Sequence, residues 1–157
     1  MGDHETVLAQ FGPALDLCEQ SYPIYISRLA MSLGPSLVAL GRAGEGIDLL
    51  EHATELSGRQ GFTFLRALLL AQFSAALLAV GDASRAEEIA WQGIAEAERS
   101  GEAGNQAWAM LRAGEAILAL GRPNEAQAML KQAREEARQK AMLPLIRRCA
   151  EVLEGLL

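Results

Sequence analysis

Apolar residues recur along this chain at spacings of three and four, broken at intervals by glycine and proline. Val7, Leu8, Phe11, Leu15 and Leu17 form such a stripe over residues 3–20, and Ile47, Leu50, Ala53 and Leu56 form another over 43–58. Side chains at those spacings share one face of an α-helix. From Phe62 to Val80 the chain is apolar almost all round, the pattern of a helix enclosed by neighbours on several sides. The punctuation completes eight predicted helices: 3–20, 23–40, 43–58, 62–80, 83–99, 103–120, 123–140 and 143–156. Pro23, Pro123 and Pro144 fall in first turns, where a missing N–H costs nothing. Asp82 is placed to cap the helix that follows it. Gly58 and Gly61 are expected to end the third helix. Two prolines lie inside helical pattern: Gly12-Pro13 predicts a kink or two short pieces, and Gly34-Pro35 predicts a bend.

The helices repeat in pairs. Gly41, Gly81 and Gly121 stand 40 residues apart, each after an Ala-Leu or Ala-Val pair. Five residues beyond each is a small residue (Gly46, Ala86, Ala126), and seven further on another (Ala53, Gly93, Ala133). Seven before each turn is a third (Gly34, Ser74, Gly114), followed three residues later by Leu37, Leu77 or Ile117. Small residues in register are what close helix crossings require. The chain therefore divides into a partial N-terminal unit (3–20), units at 22–60, 61–100 and 101–140, and a capping helix at 142–157, all one domain. No single hairpin here can bury its apolar face alone, so each must lean on the next.

These columns resemble the tetratricopeptide repeat, whose pattern is carried in the third unit by Met110, Ala113, Gly114, Ile117, Ala126 and Leu130. The family's tryptophan, tyrosine and proline positions hold Met110, Ile117 and Arg138, and the unit has 40 residues where the family's usual one has about 34. Long units of this kind look like the repeat regions of bacterial multidomain regulators, such as class III adenylate cyclases with an ATPase module and large transcriptional activators. The resemblance implies antiparallel hairpins stacked as a right-handed superhelix, with the first helix of each pair lining a concave groove. Carried over column by column, the groove positions are Arg28, Leu68, Trp108 and Arg148 in one row. A second row holds Met31, Ala71, Leu111 and Glu151, and a third Ser32, Gln72, Arg112 and Val152. Trp108 among Arg28, Arg112 and Arg148 would suit an acidic or C-terminal peptide, because arginine pairs carboxylates bidentately and tryptophan supplies apolar area. The alternative is that Trp108 packs between repeats and the arginines are ordinary surface residues. The Lys- and Asn-rich carboxylate clamp of chaperone-binding relatives is not reproduced.

Composition narrows the function classes. Half of the 157 residues are hydrophobic but only 5% are aromatic, which points to an aliphatic, alanine-rich core and away from an all-β one. A net charge of −6 lacks the basic footprint of nucleic-acid binding. Cys18 and Cys149, at opposite ends, give no disulfide or metal spacing and suit a reducing cytoplasm. Acidic residues run through the N-terminus where a secretory signal would be apolar, and no apolar run reaches the length of a membrane span. His4 and His52 lie far apart, no phosphate-cradling glycine motif is present, and Glu87-Glu88 and Glu135-Glu136 read as solvated surface. Arg147 and Arg148 could lower the pKa of the Cys149 thiol, although packing in the last helix is the simpler expectation. No catalytic residue, metal or cofactor is expected. The leading expectation is a non-catalytic scaffold that binds a protein or peptide in its groove, through Arg28, Met31, Leu68, Gln72, Trp108, Leu111, Arg112 and Arg148. The alternative is a ligand- or domain-sensing module of a larger signalling protein or regulator. Leu156-Leu157 at an apolar end suggests either a chain cut from a longer one or weak homodimerisation through an end helix.

Overall fold

Caps, turns and periodicity produce the expected elements nearly residue for residue. The computed structural model of the chain describes residues 3–59, 61 and 64–156. Among these the protein is all-α, with eight helices, one 3-10 turn at Pro23–Tyr25 and no strand. The helices are α1 His4–Ser21, α2 Ile26–Ala39, α3 Ala43–Arg59, α4 Arg66–Ala79, α5 Ala83–Ser100, α6 Ala103–Ala119, α7 Pro123–Gln139 and α8 Leu143–Glu154. Asp3 caps α1 by accepting the Thr6 N–H at 3.0 Å, and Asp82 caps α5 by accepting that of Arg85 at 3.2 Å.

Four expectations are corrected. Pro23 opens the 3-10 turn Pro23–Tyr25, and α2 begins only at Ile26. Helix α1 continues through Pro13 as one piece rather than two, and α2 likewise continues through Pro35. Both prolines follow a glycine, which has no Cβ to clash with the proline ring, so each loses a hydrogen bond without ending the helix. Gly58 lies inside the last turn of α3 rather than beyond it. The fourth helix starts at Arg66: Phe62 and Thr63 lie outside the described residues, and Phe64 and Leu65 form a turn. Leu65 is left-handed (φ 60°), and its N–H donates to Glu102 Oε1 at 3.2 Å. Leu157 also falls outside the described residues, so the apolar end involves only Leu156 here.

The hairpin turns are copies of one device. Gly41, Gly81 and Gly121 all have positive φ, at 80°, 88° and 76°. In each, the glycine N–H donates to the third carbonyl back and the next N–H to the fifth: Gly41 to Val38 and Arg42 to Leu37, Gly81 to Leu78 and Asp82 to Leu77, Gly121 to Leu118 and Arg122 to Ile117. This paired closure satisfies carbonyls that the helix end would otherwise orphan. A second series, also 40 residues apart, marks the links between hairpins: Gly61, Gly101 and Ala141 all have positive φ. Ala141 fills that site at φ 54° with the same closure, Ala141 N–H to Arg138 and Met142 N–H to Ala137. A non-glycine residue there costs roughly 1–2 kcal/mol, against about 0.5–1 for the extra freedom of an unfolded glycine. Ala141→Gly should therefore raise stability by about 0.5–1 kcal/mol. An unchanged or lower urea midpoint would show that the site is unstrained.

Packing follows the repeat. Helices α2, α4 and α6 lie side by side, and α6 reaches α8. Each of the first three is backed by its hairpin partner, α3, α5 or α7, while α1 covers α2. All nine small-column residues are buried. A Cβ on Gly34 would lie 2.5 Å from Leu50 Cγ, and one on Gly114 2.7 Å from Leu130 Cγ. At the equivalent place in the middle unit, Ser74 donates to the Ala86 carbonyl at 2.8 Å. The closest approach to another helix's backbone is in the first hairpin, where a Cβ on Gly46 would lie 2.6 Å from the Gly34 carbonyl oxygen. Charged ties join successive outer helices: Arg85 pairs with Glu51, and Arg122 with Glu87 at 2.9 Å. Glu87 is thus a partly buried bridge between hairpins rather than a freely solvated carboxylate.

Candidate functional site

On the open side of the α4–α6–α8 row, α4 and α6 continue with small and aliphatic residues one turn past the expected groove columns. Ala75 and Ala79 of α4 and Ala119 of α6 are too short to fill the space between helices, while Leu78 and Leu118 form an apolar floor. With Val152 of α8, and with Arg112, Glu115 and Arg148 on the rim, they line a groove of about 500 Å³.

Glu115 organises the rim. Its Oε2 accepts from Arg112 Nη1 at 2.6 Å, and its Oε1 accepts from Arg148 Nε at 2.8 Å and lies 2.7 Å from Arg148 Nη2. One carboxylate thus ties α6 to α8 and holds two guanidinium groups in fixed positions. Its side chain is only 10% exposed, whereas Arg148 is half exposed. The remaining contact of Arg148, Nη1 to Glu151 at 3.5 Å, is at the limit of a hydrogen bond. Burial lowers the Arg148 pKa, but Glu115 and Glu151 outweigh it, and the net shift is upward, so this cation stays charged. Behind the rim, Cys149 is fully buried. Burial first and Glu115 second push its thiol up to about 11, overriding Arg134, Arg112 and Arg148, of which the sequence pointed only to Arg148. It is a packing residue.

The structure separates the eight expected groove residues. Arg112 and Arg148 meet on the groove rim. Trp108 is half-buried against the core formed with Leu111, Leu145 and Cys149, and the Arg112 guanidinium lies 5.7 Å from its ring centroid. Trp108 therefore steadies Arg112 from below. Leu111 is wholly buried, as is Ala71 in its column, and offers nothing to a ligand. Leu68 and Gln72 are half-buried on α4. Arg28 and Met31 line a different, smaller pocket, because α2 and α8 are not neighbours. Six groove residues are missing from the sequence reading, Ala75, Leu78, Ala79, Glu115, Leu118 and Ala119, of which Glu115, Leu78 and Leu118 matter most. The signal for them was present: Leu78 and Leu118 are 40 residues apart, and Glu115 follows Arg112 by three on the same helix face.

Among the described residues no group of three or more His, Cys, Asp or Glu is arranged to hold a metal ion, and no helix is long and apolar enough to cross a membrane. No protein-family model matches the chain, and no curated protein sequence matches it.

Proposed function

We propose that this chain is a non-catalytic scaffold of tetratricopeptide type, a right-handed stack of hairpins that holds an acidic–apolar peptide in the groove of α4, α6 and α8. One observation carries the reading: Arg148, half exposed and clamped by Glu115, stands beside an apolar trough with a donor only weakly held by Glu151. A peptide carboxylate can take over that donor, while two or three apolar side chains cover Leu78, Leu118 and Val152. The pre-positioned guanidinium loses little freedom on binding, which favours affinity. Two buried free thiols, Cys18 and Cys149, suit a reducing, cytoplasmic setting.

Selection from a displayed library of random 12-residue peptides tests this directly. Enriched peptides are expected to place Asp or Glu next to apolar residues. Arg148→Glu, which reverses the charge on the rim, should weaken the selected peptides at least tenfold while circular dichroism shows the helices intact, and Trp108→Ala with Arg112→Ala should abolish their binding. No enrichment, or binding indifferent to Arg148→Glu, would count against the groove.

A further inference from the structure

A second, separate pocket lies at the other end of the helix row, between the 3-10 turn, the start of α2 and the Phe64-Leu65 turn that leads into α4. Its walls include Ile24, Tyr25, Arg28, Met31, Phe64 and Arg66, around about 160 Å³. Three of these side chains are large, apolar and conspicuously exposed: Ile24 at 50%, Tyr25 at 52% and Phe64 at 72%. The adjacent Leu65 is held left-handed with its N–H on Glu102. Such strain persists only where surrounding contacts enforce it.

The electrostatics point the same way. In a chain of net charge −6, the lining holds two arginines and no carboxylate. Arg66 Nη1 pairs with the buried Glu96 at 3.2 Å, but its Nε is buried without an acceptor. The Arg66 side chain as a whole is still 22% exposed and lines the pocket. Arg28 is exposed and takes part in none of the ion pairs among the described residues. The volume is close to that of an apolar cavity that accepts benzene, about 150 Å³.

We propose that this pocket binds a small monocarboxylic acid bearing one ring or a branched chain of similar bulk. The apolar group would lie among Ile24, Tyr25, Met31 and Phe64, and the carboxylate would face Arg28 and Arg66. The site is independent of the peptide groove. The same chemistry occurs at the C-terminus of a peptide ending in phenylalanine, and the test separates the two.

Isothermal titration with 3-phenylpropanoate, with its amide, and with a short peptide ending in Phe as the free acid provides the measurement. The expected result is saturable one-to-one binding of 3-phenylpropanoate, with the amide at least tenfold weaker. Arg28→Gln and Phe64→Ser should each weaken the acid at least tenfold, and Arg148→Glu in the groove should leave it unchanged. Absence of binding, equal binding of acid and amide, full affinity in Arg28→Gln, or binding of the peptide acid alone would each overturn the proposal.

Discussion

Leu130→Ala is expected to lower stability by about 3–5 kcal/mol, among the largest costs of any single substitution in the chain. Leu130 is fully buried, and its Cγ fills the space left by the missing side chain of Gly114 on the partner helix. Truncation removes the apolar area and leaves a cavity that rigid neighbouring helices cannot close. The reverse change, Gly114→Ala, should cost about 1–3 kcal/mol, because a Cβ would lie 2.7 Å from Leu130 Cγ. Since the two residues occupy one space, the double variant should cost less than the sum by at least about 0.5 kcal/mol. Urea midpoints of the four proteins decide the matter. Strict additivity would mean that α6 and α7 do not meet through this pair.

Gly46→Ala should cost about 2–3 kcal/mol, the upper range for overpacking. The obstacle is the Gly34 carbonyl oxygen, 2.6 Å from the added Cβ, with Val38 Cγ2 at 2.9 Å. A flexible side chain could turn aside, but a carbonyl oxygen moves only with its helix. Gly44, two residues earlier on α3, provides the control: it is exposed, and nothing lies within 4 Å of an added Cβ. Gly44→Ala should raise stability by a few tenths of a kcal/mol, because alanine is the better helix former. If both variants shift thermal unfolding in the same direction, the close approach of α2 and α3 is not real.

These two glycines show why the fold was largely legible from sequence. A column of Gly34, Ser74 and Gly114 facing one of Gly46, Ala86 and Ala126 records close helix crossings, and all six residues are buried where the repeat placed them. Helix ends were legible for the same reason, since Gly41, Gly81 and Gly121 mark turns that demand positive φ. The start of α4 was not legible. Phe64 and Leu65 are as apolar as the helix that follows, and the turn depends on Glu102, a contact 37 residues away in sequence. That α1 stays in one piece through Pro13 was not legible either, because the relief given by a preceding glycine is a steric detail that propensity alone does not register.

The site was legible only in part. Arg112 and Arg148 were identified from repeat columns, and the structure brings them together. Glu115, which holds them, lies three residues from Arg112, but its bond to Arg148 spans 33 residues and leaves no local trace. Leu111 shares the apolar character of Leu118, yet one is sealed between helices and the other floors the groove. Periodicity separates faces of a helix, but it does not say at which turn a neighbouring helix diverges enough to leave a face open. Arg28 was drawn into the same row as Arg148 because column positions are equivalent in every repeat, whereas the helices that carry them are separated in space.

Amide chemical-shift mapping of the isotopically labelled protein with a library-selected peptide addresses the central claim most directly. The account predicts that shifts gather on residues 75–79, 112–119 and 148–152, the three stretches that line the groove. Shifts confined to the outer helices α3, α5 and α7, or no shifts at saturating peptide, would contradict it.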